Sequence, residues 1–178
     1  MKLYCGTYKK YNEGSLAGAW MDLDDYEDAD AFREACLELH KDEKDPELMF
    51  QDQEIDNNWE EGLYSECRIP EEYWDIKQAL EDEHVDEDVF NAFIQGQCEK
   101  ASVDMVMKCQ DCYTGFHSDN FHVGEEYAEQ EFYDTHSKKE CDSMSWILRY
   151  VDWARVWNDM TYDGYAEYDG YVFNNNWR

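Results

Sequence analysis

A formal net charge of −29, from 44 Asp and Glu against 15 Lys and Arg in 178 residues, is the strongest constraint on how this chain can fold. Like charges at this density oppose any compact state. Chains of this kind are commonly disordered, because they bury too little apolar surface to offset chain entropy. The aromatic residues argue for a folded protein. Seven Trp, 14 Tyr and 8 Phe make up 16% of the chain, and each can bury a large area. There are only two Pro and no low-complexity tract. A folded chain that keeps such self-repulsion is expected to use it. Nucleic acid and anionic membrane are disfavoured as partners, and a basic surface is favoured, above all a nucleic-acid-binding groove.

The apolar pattern predicts an elongated α+β protein in three parts packed end to end. Residues 1–68 read as a small α+β unit. Its strands are residues 2–8 and 16–23, with a polar loop over 9–15 containing Asn12 and Gly14. Asp30 is the expected cap of a helix to about residue 41, whose inner face holds Phe32, Ala35, Cys36 and Leu39. Residues 48–50 and 63–65 complete the sheet. Residues 69–112 read as a central helical unit, with Pro70 at a first helical position, Asp86 as an N-cap flanked by the staple pair Val85 and Phe90, and a short helix holding Val103, Val106 and Met107. Residues 113–178 read as a C-terminal α+β unit. It opens on a loop over 111–120, followed by helices over 123–135 and 143–160. A hairpin over 164–177 turns at Asp169-Gly170.

The charge follows these units rather than forming a tail: the net values are −12, −9 and −8 in residues 1–68, 69–112 and 113–178. B-DNA carries one charge per about 1.7 Å, so 29 charges match roughly 15 base pairs and 44 carboxylates roughly 22. A charge run most often marks only a solvated face. Distributed over ordered elements, it suggests carboxylates standing in for phosphates. The candidate partner-binding carboxylates are Asp22, Asp24, Asp25, Glu27 and Asp28 in the first unit, and Glu71, Glu72, Asp82, Glu83, Asp86 and Glu87 in the second. The alternative is an acidic interaction module or a chaperone for a basic protein.

Other chemistry is weakly signalled. Cys109, Cys112, His117 and His122 have the spacing C-x2-C-x4-H-x4-H, close to a zinc knuckle. Knuckles bind single-stranded nucleic acid with basic residues, and no Lys or Arg lies between Gln110 and Thr135. Two buried thiols and two ordinary histidines are the simpler reading, so no metal or other cofactor is expected. Residues 22–30 are not a calcium loop, because Glu27 and Arg33 occupy the positions that need Gly and Glu. No nucleophile motif, Walker loop or dinucleotide fingerprint is present, and no enzymatic activity is expected. Seven scattered Cys, the absence of a signal-peptide pattern after Met1-Lys2-Leu3-Tyr4 and the absence of a long apolar run point to a reducing cytoplasm. Trp146, Tyr150, Trp153 and Trp157 lie four, three and four apart, which puts them on one face of the expected helix. Such a stripe is most often core or a subunit interface.

The stretch Leu3-Tyr4-Cys5-Gly6-Thr7-Tyr8, followed by Lys10-Tyr11-Asn12-Glu13-Gly14-Ser15-Leu16-Ala17-Gly18-Ala19-Trp20, resembles the opening of the ArdA antirestriction proteins. Tyr150-Val151-Asp152-Trp153-Ala154 resembles that family's Tyr-x-Asp-aromatic-Ala segment. The family's Gly-Arg pair after this Ala is replaced by Val156-Trp157. The resemblance implies a three-part DNA mimic, carried by mobile elements in a bacterial host cell. It implies a homodimer formed through the C-terminal part, with Trp146, Tyr150, Trp153 and Trp157 as its expected interface. It also implies a partner, the DNA groove of type I restriction-modification enzymes, chiefly on the methyltransferase core. The family's acidic antirestriction segment corresponds here to Glu125, Glu126, Glu129 and Glu131.

Overall fold

The computed structural model describes residues 1–176, and the chain is mixed α+β. It forms two compact units, Met1–Met107 and the residues from Lys108 onward.

In the first unit a central strand, β1 (Lys2–Thr7), points Leu3 and Cys5 into the core. It pairs antiparallel with β2 (Ala19–Asp22) on one side and β3 (Leu48–Glu54) on the other. The segment expected to be a loop contains a one-turn helix, α1 (Tyr8–Asn12), because Thr7 Oγ1 accepts the Lys10 N–H at 3.2 Å. Five residues with nothing buried carry no helical periodicity. The helix α2 (Ala29–Leu39) begins two residues earlier than expected. Asp28, not Asp30, is its cap, accepting the Ala31 N–H at 2.8 Å. Asp30 sits inside the first turn and pairs with Arg33. Phe32 and Cys36 are buried, whereas Leu39 is exposed. Residues 63–65 are not a strand. Leu63 closes a 3-10 helix, Asn58–Leu63, and Tyr64 donates its hydroxyl to the Phe50 carbonyl at 2.8 Å.

The helices α3 (Glu72–Asp82) and α4 (Glu87–Gln97) belong to the same unit. Trp59 stacks on Tyr73 at 5.6 Å and meets Phe90 at 6.0 Å. The Tyr73 hydroxyl donates to Asp24 at 2.9 Å, and the Trp74 indole N–H to the Tyr26 carbonyl at 2.9 Å. These contacts bridge residues before and after position 68. Pro70 lies just ahead of α3 rather than in it, and its carbonyl accepts the Tyr73 N–H. Asp86 caps α4 as expected, and Phe90, Phe93 and Ile94 are buried. A further helix, α5 (Val103–Cys112), buries Met105 and Val106 and leaves Val103 and Met107 exposed.

The N-terminal motif has a structural explanation. A Cβ on Gly18 would lie 2.2 Å from the Cys5 carbonyl oxygen, so only glycine lets the chain pass there. Tyr4 packs edge-on against Trp20 and donates to the Leu16 carbonyl. Lys10 Nζ reaches Asp42 at 2.9 Å and the buried His40 at 3.0 Å, tying α1 to the segment after α2.

The second unit has a sheet of order β4-β6-β5, made of β4 (Tyr113–His117), β5 (Tyr165–Tyr168) and β6 (Tyr171–Asn174). The loop expected over 111–120 thus contains a strand. Its partner is far along the chain, with Tyr113 opposite Phe173 and His117 opposite Tyr171. The β5–β6 turn is the expected one: Asp169 and Gly170 both have positive φ, 48° and 83°, as a two-residue hairpin requires. The expected end of the hairpin, Trp177, lies outside the described residues. The helix α6 (Val123–Thr135) matches its expected bounds. The single helix expected over 143–160 is two helices, α7 (Lys138–Leu148) and α8 (Trp153–Tyr162). Asp152 starts the second by accepting the Arg155 N–H at 3.1 Å. The core is Val123, Tyr127 and Val172, with Phe116, Trp157, Met160 and Tyr165 packed on it. Among the described residues no helix is long and apolar enough to cross a membrane.

Candidate functional site

The carboxylates are held by the fold. Asp22 caps the 3-10 turn Leu23–Asp25, Asp28 caps α2 and Asp86 caps α4, each accepting a backbone N–H at 2.8–3.2 Å. Capping fixes a side chain that would otherwise swing freely. The same local chemistry that starts each element therefore places a fixed negative charge on its surface.

The opposite helix ends show a different balance. Cations near a helix C-terminus stabilise it by about 0.3–1 kcal/mol each. Yet α2, α3, α4, α6, α7 and α8 have no basic residue in the last turn. At the end of α3, Asp82 and Glu83 place negative charge at the unfavourable pole. The one-turn helix α1 differs, with Lys9 and Lys10 in its last turn.

In the first unit the counts are 30 acidic against 9 basic residues, net −21. Several bases pair with the protein's own carboxylates. Arg33 joins Asp30 and Glu71, at 2.6 and 2.9 Å, and Arg68 pairs with Glu72 at 2.7 Å. The Glu72 carboxyl is held below its usual range, first by the hydrogen bond from Arg68. Lys77 brings Asp24 and Glu87 together, at 3.6 and 3.5 Å. Glu71, Glu72, Asp24 and Glu87 are thus partly neutralised. Asp25, Glu27 and Asp28 are exposed, as are Asp82 and Asp86, and Asp22 and Glu83 are half-buried.

In the second unit there are 14 acidic against 6 basic residues, net −8. Glu125 and Glu126 stand in the first turn of α6. His122 Nδ1 lies 2.8 Å from Glu125, and Ser118 Oγ donates to Glu126 at 2.6 Å. Glu129 and Glu131 follow on the same helix, half-buried. Sequence reasoning missed the residues that complete this acidic end. Phe121 is 95% exposed, and Asp119, Glu167 and Asp169 are exposed around it. The usable signal was the run from 111 to 134, which has no Lys or Arg.

The four aromatic residues expected on one face are divided by the break between α7 and α8. Trp153 packs against Phe132, and Trp157 lies over Gly124 and against Tyr127. Trp146 is 66% and Tyr150 78% exposed, with Ile147 beside them also exposed. This face is nearly neutral, since residues 138–155 hold four basic and three acidic side chains.

The Cys109–His122 constellation is dispersed among other contacts. Cys109 and Cys112 are buried, His117 lies against the Tyr171 ring and near Asp119, and His122 pairs with Glu125. Burial, with the Cys112 thiol nearby, pushes Cys109 up to about 12. Among the described residues no group of three or more His, Cys, Asp or Glu is placed to hold a metal ion.

Neither the curated proteins nor the solved structures include a match. The family model described as antirestriction protein (ArdA) matches residues 3–173, nearly the whole chain. The chain therefore belongs to the ArdA antirestriction protein family.

Proposed function

We propose that this protein inhibits type I restriction-modification enzymes by occupying their DNA-binding groove, chiefly on the methyltransferase core, with ordered carboxylates in place of phosphates. It does so as a homodimer, in the cytoplasm of a bacterial host. Family membership supports antirestriction. The observation that carries the mimicry is the use of carboxylates as helix caps, which fixes charge on the surface before any partner arrives. A preordered charge loses little side-chain entropy on binding. The target's Lys and Arg exchange one set of oxyanions for another.

The α7 face supports the homodimer. Two copies of a chain with net charge −29 repel each other. Self-association therefore needs a face of low charge that also has apolar surface to bury, and Trp146, Ile147 and Tyr150 provide one. The inward positions of Trp153 and Trp157 restrict the proposed contact to the α7 half of the stripe.

The test is competition. A purified type I methyltransferase is bound to labelled duplex DNA at low salt and titrated with this protein. Stoichiometric displacement of the DNA is expected. Retention of the DNA at saturating protein contradicts the mimicry and favours an acidic module with another basic partner.

A further inference from the structure

Among the described residues, Phe121 has the greatest exposure of the large apolar side chains, at 95%. It lies on the turn between β4 and α6, and its ring contact is with His122, edge-on at 5.2 Å. The turn is pinned on both sides. The Ser118 N–H donates to the Gly170 carbonyl at 3.0 Å, Ser118 Oγ donates to Glu126 at 2.6 Å, and the Asn120 N–H donates to Ser118 Oγ at 3.2 Å. Phe121 is therefore held out in water by a rigid loop. It borders an open cleft of about 400 Å³ whose rim carries Asp119, Glu167 and Asp169.

The surrounding charge identifies the occupant. A second copy of the chain would bring carboxylates against carboxylates here, so self-association is disfavoured. A basic surface is complementary. The ring itself needs an apolar recess within that surface, and a groove that binds only phosphates provides none. Enzymes that modify a base do provide one, because they take the base out of the stack into a pocket lined by aromatic and apolar groups. We propose that Phe121 enters this base-receiving pocket of the target, standing in for the extruded base while the adjacent carboxylates stand in for its phosphates. This deepens the reading of the protein as a DNA mimic and rests on it. It assigns to one residue a contribution that salt does not screen.

The experiment compares wild type, Phe121→Ala and Phe121→Trp for binding to a purified type I methyltransferase over a series of salt concentrations. Phe121 is exposed, so folding is expected to be unaffected, with circular dichroism as the check. Phe121→Ala should weaken binding about 10- to 100-fold, the range expected for one buried aromatic ring. The loss should be equal at every salt concentration, leaving the salt slope unchanged, and Phe121→Trp should retain most of the affinity. A photocrosslinking side chain at position 121 should label residues that line the base pocket. If wild type binds with a steep salt slope but Phe121→Ala binds within twofold of it, the inference is overturned. Crosslinks confined to the outer groove overturn it as well. If wild type fails to bind at all, the mimicry itself falls and this inference falls with it.

Discussion

Two regions of the second unit expose aromatic rings, and they differ in what surrounds those rings. The α7 face, with Trp146, Ile147 and Tyr150, lies in a stretch of four basic and three acidic residues. The turn carrying Phe121 lies among Asp119, Glu167 and Asp169, in a run without Lys or Arg. Apolar exposure is similar in kind at both places, and the charge around it differs. A near-neutral apolar face suits another copy of a strongly charged chain. An apolar ring encircled by carboxylates suits a basic groove. Both depend on one small core, because α6 runs from the acidic turn into the helix pair that presents α7.

The largest effect is expected from breaking that shared support. A Cβ on Gly124 would lie 2.2 Å from the Trp157 ring. Gly124→Val should therefore destabilise the second unit by about 3 kcal/mol, measured by urea unfolding, and weaken both faces together. Next, Trp146→Ala with Tyr150→Ala should separate the faces. The proposed homodimer should weaken about 100-fold by analytical ultracentrifugation, as expected when two aromatic anchors are lost. Displacement of DNA per protomer should survive. If the double variant stays dimeric, the comparison is wrong.

Smaller effects belong to the charges. Glu125→Gln, Glu126→Gln, Glu129→Gln and Glu131→Gln together should flatten the salt dependence of target binding and leave the dimer unchanged. Asp22→Asn alone should cost at most about 1 kcal/mol of binding, because single exposed charges contribute little. A single neutralisation that abolished inhibition would contradict distributed mimicry. The smallest effect concerns the start of α7, where Ser137 and Glu140 form a capping box. The hydrogen bond from the Ser137 side chain, then that from its backbone, holds the Glu140 carboxyl below its usual range. Its contribution is therefore fully present above the unfolded value of about 4.3 and is lost as pH falls through the lower folded value. The difference in unfolding midpoint between wild type and Glu140→Gln should be constant above about pH 5 and shrink toward pH 3.

Much of this was legible in the sequence, and what was not has physical causes. The α6 bounds, the Asp86 cap and the Asp169-Gly170 turn follow from local chemistry within a few residues, and each appears as expected. Residues 113–117 read as loop in the sequence because the residues that make them a strand, Tyr171 and Phe173, lie more than 50 positions away. The aromatic spacing 146/150/153/157 mimics one helical stripe, but Asp152 starts a new helix inside it and turns Trp153 and Trp157 to the core. Among the candidate carboxylates, charge was readable and pairing was not. Nothing local shows that Lys77 would reach both Asp24 and Glu87, or that Arg33 would reach Glu71. The run without Lys or Arg marks the acidic stretch around Phe121, but nothing in it shows that the ring is exposed, because a single Phe in a polar stretch is normally buried.

The central claim, that fixed carboxylates replace phosphates on the target, is tested most directly by the affinity for a purified type I methyltransferase measured against salt. A linear log–log fall of several units of slope is expected, with at least a tenfold loss between about 50 and 200 mM salt, and competition with duplex DNA throughout. An affinity that is flat across that range, or that persists while DNA stays bound, would contradict it.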